Sequence, residues 1–374
     1  MSLKHFIKQE TVLSVAIVLA VISAFFVRPD KQYISYIDFR TLAILFSLMT
    51  VMAGLQRHGV FDRMGQKMIT HAGGILQIVF VLVGVCFFGS MFITNDVSLM
   101  TFVPFTFAVM DNVDEKTRNK FVPTIVCMQT VAANLGSMMT PIGNPQNLYL
   151  YSKSKMSIIE FMRITFPYTF ASLILLTIWC VCFFRRKKEK LVINNKKEIV
   201  TTDYKIIVLY IILFMVCLLC VIHILPYYIV FAIVLLCTLF SDKKTLIKID
   251  YSLLLTFTAF FIFIGNIGRI PLFSEWLKKI LYGREVIVSV AASQITSNVP
   301  AALLLSGFTD DIRALVIGTN IGGLGTLIAS MASLISYRFI ARKMPQNKGE
   351  YFKMFTASNV IFLIILLAIW GRIK

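Results

Sequence analysis

Nine long stretches of this 374-residue chain, each of 14 residues or more and without an Asp, Glu, Lys or Arg, read as membrane spans, and few folds can accommodate such a pattern. A bilayer's hydrocarbon core, about 30 Å thick, takes about 20 apolar residues per helical crossing, and backbone polar groups inside it must find partners within the protein. The runs cover residues 11–27, 41–56, 122–150, 164–184, 206–225, 227–240, 251–268, 314–337 and 354–370. Two more apolar stretches, 74–110 and 286–308, are each interrupted midway by polar residues. Only 15% of the chain is charged and its mean hydropathy is +0.79, whereas a soluble domain runs about 25% charged. The expected fold is an all-α polytopic membrane protein with about nine full spans, and a soluble enzyme is excluded.

The formal charge of +18 is an orientation signal. If the N-terminus is cytoplasmic, each span switches sides and each interrupted stretch returns to the side it left, 24 of the 37 Lys and Arg residues fall on the inner face. This follows the positive-inside rule. It places the C-terminus outside and the densest cluster, Arg185 to Lys190, inside, as in a protein of a prokaryotic plasma membrane. Nucleic acid is not expected as a partner. The first run lacks a small-residue cleavage site and reads as a retained helix. All seven cysteines lie in apolar runs and read as small hydrophobes, and no cofactor is expected. Eighteen of the 19 acids fall in loops, and the exception is Asp96.

The two interrupted stretches share a motif: Ile93-Thr94-Asn95-Asp96-Val97 in one, and Ile295-Thr296-Ser297-Asn298-Val299 in the other. A second polar island follows each, Asn134-Leu135-Gly136-Ser137 and Asn320-Ile321-Gly322-Gly323, and a weaker match, 54–61 against 265–273, precedes each. Three matches in one order argue for a duplicated unit. Residues 1–184 form the first unit, with a hairpin at about 74–110 and a broken helix at about 122–150. Residues 226–374 form the second, with a hairpin at about 286–308 and a broken helix at about 314–337. A basic linker, 185–205, and one additional helix, 206–225, lie between them. That odd helix inverts the second unit, as in many secondary transporters.

The arms around the second interruption have ten residues each, about 15 Å of helix, and reach only the midplane. Irregular backbone at that depth must be buried in protein or line a wet cavity. Thr140-Pro141-Ile142-Gly143-Asn144-Pro145 breaks a helix outright, and Gly322, Gly323 and Gly325 can do the same. With no buried Lys or Arg, an anion would be held by helix N-termini and by Thr94, Asn95, Asn144, Asn147, Thr296, Ser297, Asn298, Asn320 and Thr326. A proton or sodium would be taken by Asp96 and by carbonyls around Thr140, Gly143 and Gly322, with sodium near Asn95 and Ser297. Asp96 also has a purely structural reading, as the N-cap of the second arm. Arg57 and Arg269 read as snorkelling anchors, and His5, His58, His71 and His223 as solvated or interfacial.

The motifs at 93–97, 140–147, 296–301 and 318–326 resemble the ion transporter superfamily, in its citrate-transporter-like and arsenite or sodium/proton permease branch, with divalent anion:sodium symporters as distant relatives. The resemblance implies two hairpins carried on an elevator-type transport domain, and a homodimer. The symporters carry Ser-Asn-Thr at each tip, and this chain departs from that at both. The expectation is a secondary active transporter of a small anion (a carboxylate such as citrate, or an inorganic oxyanion), coupled to protons or sodium. The alternative is a sodium/proton antiporter or an arsenite-type efflux permease.

Overall fold

A computed structural model describes residues 10–69, 74–111, 115–185 and 203–373. His5, His71 and all of the basic cluster except Arg185 lie outside the described residues, as does the rest of the linker to residue 202. The described residues form eighteen α-helices and two 3-10 turns, with no strand among them. The first half contains α1 (Thr11–Phe26), α2 (Gln32–Tyr36), α3 (Phe39–Arg57), α4 (Val60–Ile69), α5 (Ile75–Ile93), α6 (Asn95–Met110), α7 (Glu115–Gly136), α8 (Pro145–Lys153) and α9 (Ile158–Phe184). The second contains α10 (Tyr204–Val221), α11 (Tyr227–Leu246), α12 (Tyr251–Gly268), α13 (Pro271–Leu281), α14 (Glu285–Thr296), α15 (Asn298–Leu305), α16 (Ile312–Gly322), α17 (Met331–Lys343) and α18 (Lys348–Ile373).

Seven segments are long and apolar enough to cross a bilayer: α3, α5, α7 with its 3-10 extension, α9, α10, α12, and α18 with the turn before it. The nine runs in the sequence therefore appear in modified form. Runs 122–150 and 314–337 are each split into two helices, α1 is a shorter apolar helix of 16 residues, and α11 ends in Asp242, Lys243 and Lys244. α5, the first arm of the 74–110 stretch, is itself of spanning length. α7 is buried along its whole apolar window, whereas α9 and α10 are only 28% buried, so α7 is central and the other two face outward.

The helices sort into two groups by packing. α1 lies along α12, while α10 and α11 lie along α3. In the other group α5, α6, α9, α17 and α18 surround α7, and α14 and α15 pack on α16. Close approach explains the glycines here. A Cβ at Gly136 would lie 2.0 Å from the Phe87 carbonyl, and Gly318 and Gly322 receive Ser289 and Ser293 of α14. Small residues four apart let membrane helices approach this closely.

The element order α3 to α9 recurs as α12 to α18, and so do the contacts that hold α3 and α12. Asp38 and Asp250 cap these two helices through Thr41 N and Leu253 N, each at 3.0 Å. At their far ends, Arg57 pairs with Asp242 and Arg269 with Asp30. Gly54 lies under the Tyr210 ring and Gly265 under the Tyr36 ring. The Tyr210 hydroxyl donates to Asp242, and the Tyr36 hydroxyl accepts from Arg269.

Three expectations change at the Arg57 end. Asp242 is not a loop acid, because it interrupts α11 with non-helical torsions and its side chain is only 7% exposed. Arg57 is not a free anchor, and His58, 2.9 Å from Asp242, is not simply solvated. Burial first, and the neighbouring Arg57 second, hold the His58 imidazole below its usual range.

Candidate functional site at the broken helices

The two broken helices are joined through a network of neutral side chains. Asn320 of α16 donates to Asn147 Oδ1 at 2.6 Å and accepts from Asn144 Nδ2 at 3.1 Å, both beside the first break. Reciprocally, Asn134 of α7 accepts from Ser330 Oγ at 2.9 Å and donates to Ser333 Oγ at 3.1 Å, both beside the second. Asn95 Nδ2 also donates to Asn134 Oδ1 at 3.1 Å, tying the first hairpin into the network. All these side chains are buried. Buried amides and hydroxyls need partners, and here each break supplies them to the other.

Both hairpin tips contain a strained residue. Thr94 has φ 66° and ψ 152°, and Ser297 has φ 79° and ψ 156°, a region that is almost exclusive to glycine and costs about 1–3 kcal/mol per residue. The reversal lets the first N–H of each second arm reach its own break. Asn95 N donates to Gly143 O at 3.1 Å, and Asn298 N donates to Ala329 O at 2.9 Å. These geometries make Thr94 equivalent to Ser297 and Asp96 equivalent to Val299. The letter match between the tips is therefore offset by one residue. Ile-Thr aligns with Ile-Thr in sequence, but the chain turns one position later in the second tip.

Thr94, Asp96 and Asn144 come together as parts of one cavity of about 140 Å³. Its remaining polar wall is Gln56 of α3 with Lys248 and Asp250 before α12, and the rest is apolar, including Leu45, Leu48, Met49 and Met52 of α3. Lys248 and Asp250 are exposed, so the cavity opens toward the Arg57 end. Asp96 does not cap its helix. α6 starts at Asn95 after the strained Thr94, Asp96 N donates to Asn95 Oδ1, and Asp96 Oδ1 is buried without a hydrogen-bond partner. The structural-cap alternative is therefore replaced by an unsatisfied carboxylate oxygen at a helix N-terminus.

The other expected residues lie elsewhere. Asn147 and Asn320 sit in the network rather than in the cavity. Ser297 and Asn298 are buried at the second tip, while Thr296 and Thr326 beside it are exposed. The expected coupling carbonyls already accept bonds: Thr140 O from Asn147, Gly143 O from Asn95 and Gly322 O from Gln294. Gln294 is a residue that motif matching misses. It donates to the carbonyls of Gly322 and Leu324 and accepts from Thr326 N, each at 2.9 Å, closing the second break around Gly325 at φ 103°. Its polarity within an apolar arm was the available signal, as it was for Ser330 and Ser333.

Comparison with known proteins identifies the family. The chain is 30% identical over 335 residues to "Uncharacterized transporter MJ0456" of Methanocaldococcus jannaschii, covering 89% of each chain. It is 28% identical over 315 residues to inner membrane protein YbiR of Escherichia coli, covering 82% of each. A partial match, 34% over 148 residues, reaches the silicon efflux transporter LSI3 of Oryza sativa, covering 39% of this chain and 28% of that one. The citrate transporter family matches residues 6–313. This multi-pass membrane protein belongs to that family of transporters.

Proposed function

We propose that the protein is a secondary active transporter that moves a small anion by alternating access and couples it to a proton carried by Asp96. The observation that carries this reading is half-buried Asp96, which lines the cavity at the first tip and whose Oδ1 is buried without a hydrogen-bond partner. An acid in that setting is a functional candidate by default. An anion at the N-terminus of α6 is favoured by the backbone dipole and opposed by an ionised Asp96, so protonation and binding favour each other. On this reading the two halves are inverted repeats, α5–α6 and α14–α15 are re-entrant hairpins, and the α7 group travels against the α3 group in a homodimer. With the N-terminus cytoplasmic, the cavity faces the cytoplasm. The family's name supports a carboxylate solute.

The test is uptake of radiolabelled citrate, succinate and sulfate into proteoliposomes, with pH and sodium gradients imposed separately. The expected result is uptake driven by the pH gradient, with that dependence lost in Asp96→Asn. Unchanged pH dependence in Asp96→Asn would remove the coupling assignment, and sodium-driven uptake alone would replace the ion. A second reading, efflux of an uncharged hydroxy acid, is favoured by the mainly apolar wall with two acids and one amine. It is supported by the name of the silicon efflux relative, and it predicts transport of silicic or arsenous acid but not of citrate.

A further inference from the structure

We propose that the turn Lys248–Ile249–Asp250 is the port at which Asp96 releases its proton, with Asp250 as acceptor and Lys248 as the countercharge for the ionised Asp96. This rests on the proton-coupled reading above. Asp96 and Asp250 are the two acids that line the cavity, and Lys248 is its one cation among the described residues. They come from opposite helix groups. Asp96 is on the hairpin packed around α7, whereas Lys248 and Asp250 join α11 to α12 in the group around α3. Relative movement of the two groups brings them together or apart.

The chemistry favours this division. The proton leaves an Asp96 oxygen, crosses the cavity through water and is taken by the Asp250 carboxylate, which is exposed and returns it to bulk. The carboxylate left among Leu and Met side chains then needs an opposite charge, because a lone ion in an apolar wall is strongly disfavoured. Lys248 supplies one. Three other charged groups at this end are engaged elsewhere: Arg57 and His58 bond Asp242, and Glu10 accepts the Ser252 hydroxyl. Asp96 therefore ionises where the turn faces it and stays protonated where the turn does not.

Asp250 also caps α12, and Asn is an equally good cap, so Asp250→Asn removes the acid while keeping the fold. Asp38→Asn, the same change at the matching cap of α3, controls for capping. The experiment uses the full chain in proteoliposomes, with radiolabelled citrate as probe, and measures uptake driven by a pH gradient alongside citrate exchange at equal pH. In Asp250→Asn, driven uptake should fall at least about tenfold more than exchange does, the scale of a lost positioned proton acceptor. Lys248→Gln should move the pH profile of driven uptake in the same assay. If Asp250→Asn keeps the parent ratio and pH profile while Asp96→Asn loses its pH dependence, the port assignment is wrong and the Asp96 reading stands. If Asp96→Asn keeps its pH dependence, both fall.

Discussion

The two halves of the molecule build the same elements in the same order, and each holds one piece of chemistry that the other lacks. At the tips, a strained residue and an Asn whose N–H reaches the break are present twice, but the next position is Asp96 in one half and Val299 in the other. At the ends of α3 and α12, an Arg, an Asp and a Tyr over a Gly are also present twice. Asp242, however, is 7% exposed and Asp30 is 40% exposed. The shared order of elements supplies the frame; within it a single substitution supplies the acid at one tip, and packing rather than residue type buries the Asp at one end.

The largest expected effect tests the ends. Arg57→Gln leaves Asp242 with His58, Tyr210 and Thr245 but without its cation. Stranding a buried carboxylate costs about 3–5 kcal/mol, and about 2–3 here because Arg57 is itself 31% exposed. Arg269→Gln breaks a solvent-screened pair and should leave the melting temperature unchanged. Thermal unfolding in detergent checks both, and equal losses would abolish the distinction. Asp96→Val comes next and makes the first tip chemically like the second. It should cut pH-driven uptake by about 100-fold, while removing an unpartnered buried oxygen should leave stability level or slightly raised. A clear loss of stability would make Asp96 a structural residue.

Much of this frame is legible in the sequence because a bilayer penalises charge and broken backbone so heavily. Runs without charge mark the helices, Pro141 and Pro145 mark the first break, and a single acid outside the loops marks the first tip. Asp242 is not legible, since its neighbours Lys243 and Lys244 give it the look of a loop, and only the packing of α3, α10 and α11 buries it. The tip register is misread for a related reason. Ile-Thr is a match of letters, whereas the equivalence is set by which residue takes the strained torsions, and a Thr and a Ser can each do so. The polar residues gathered as one site divide among a cavity face, a joining network and the second tip because side-chain direction, rather than sequence neighbourhood, decides which lone pairs are already used.

Two smaller effects probe the shared features. Asn134→Ala and Asn320→Ala each leave buried partners unsatisfied in the opposite break, at a cost of about 2 kcal/mol. Because the roles are reciprocal, the two losses should agree, and a markedly larger loss in one would show that a single break carries the network. The smallest effect concerns strain. Thr94→Gly and Ser297→Gly each remove a Cβ from torsions that glycine tolerates, and the relief exceeds the entropy cost of glycine by about 1 kcal/mol. Both variants should melt slightly higher. In transport they should differ: Thr94 lines the cavity beside Asp96 and its substitution should alter uptake, while Ser297 lies outside it. Equal changes in uptake would mean that the second tip contributes to the site as much as the first, and that the single acid does not set the two tips apart.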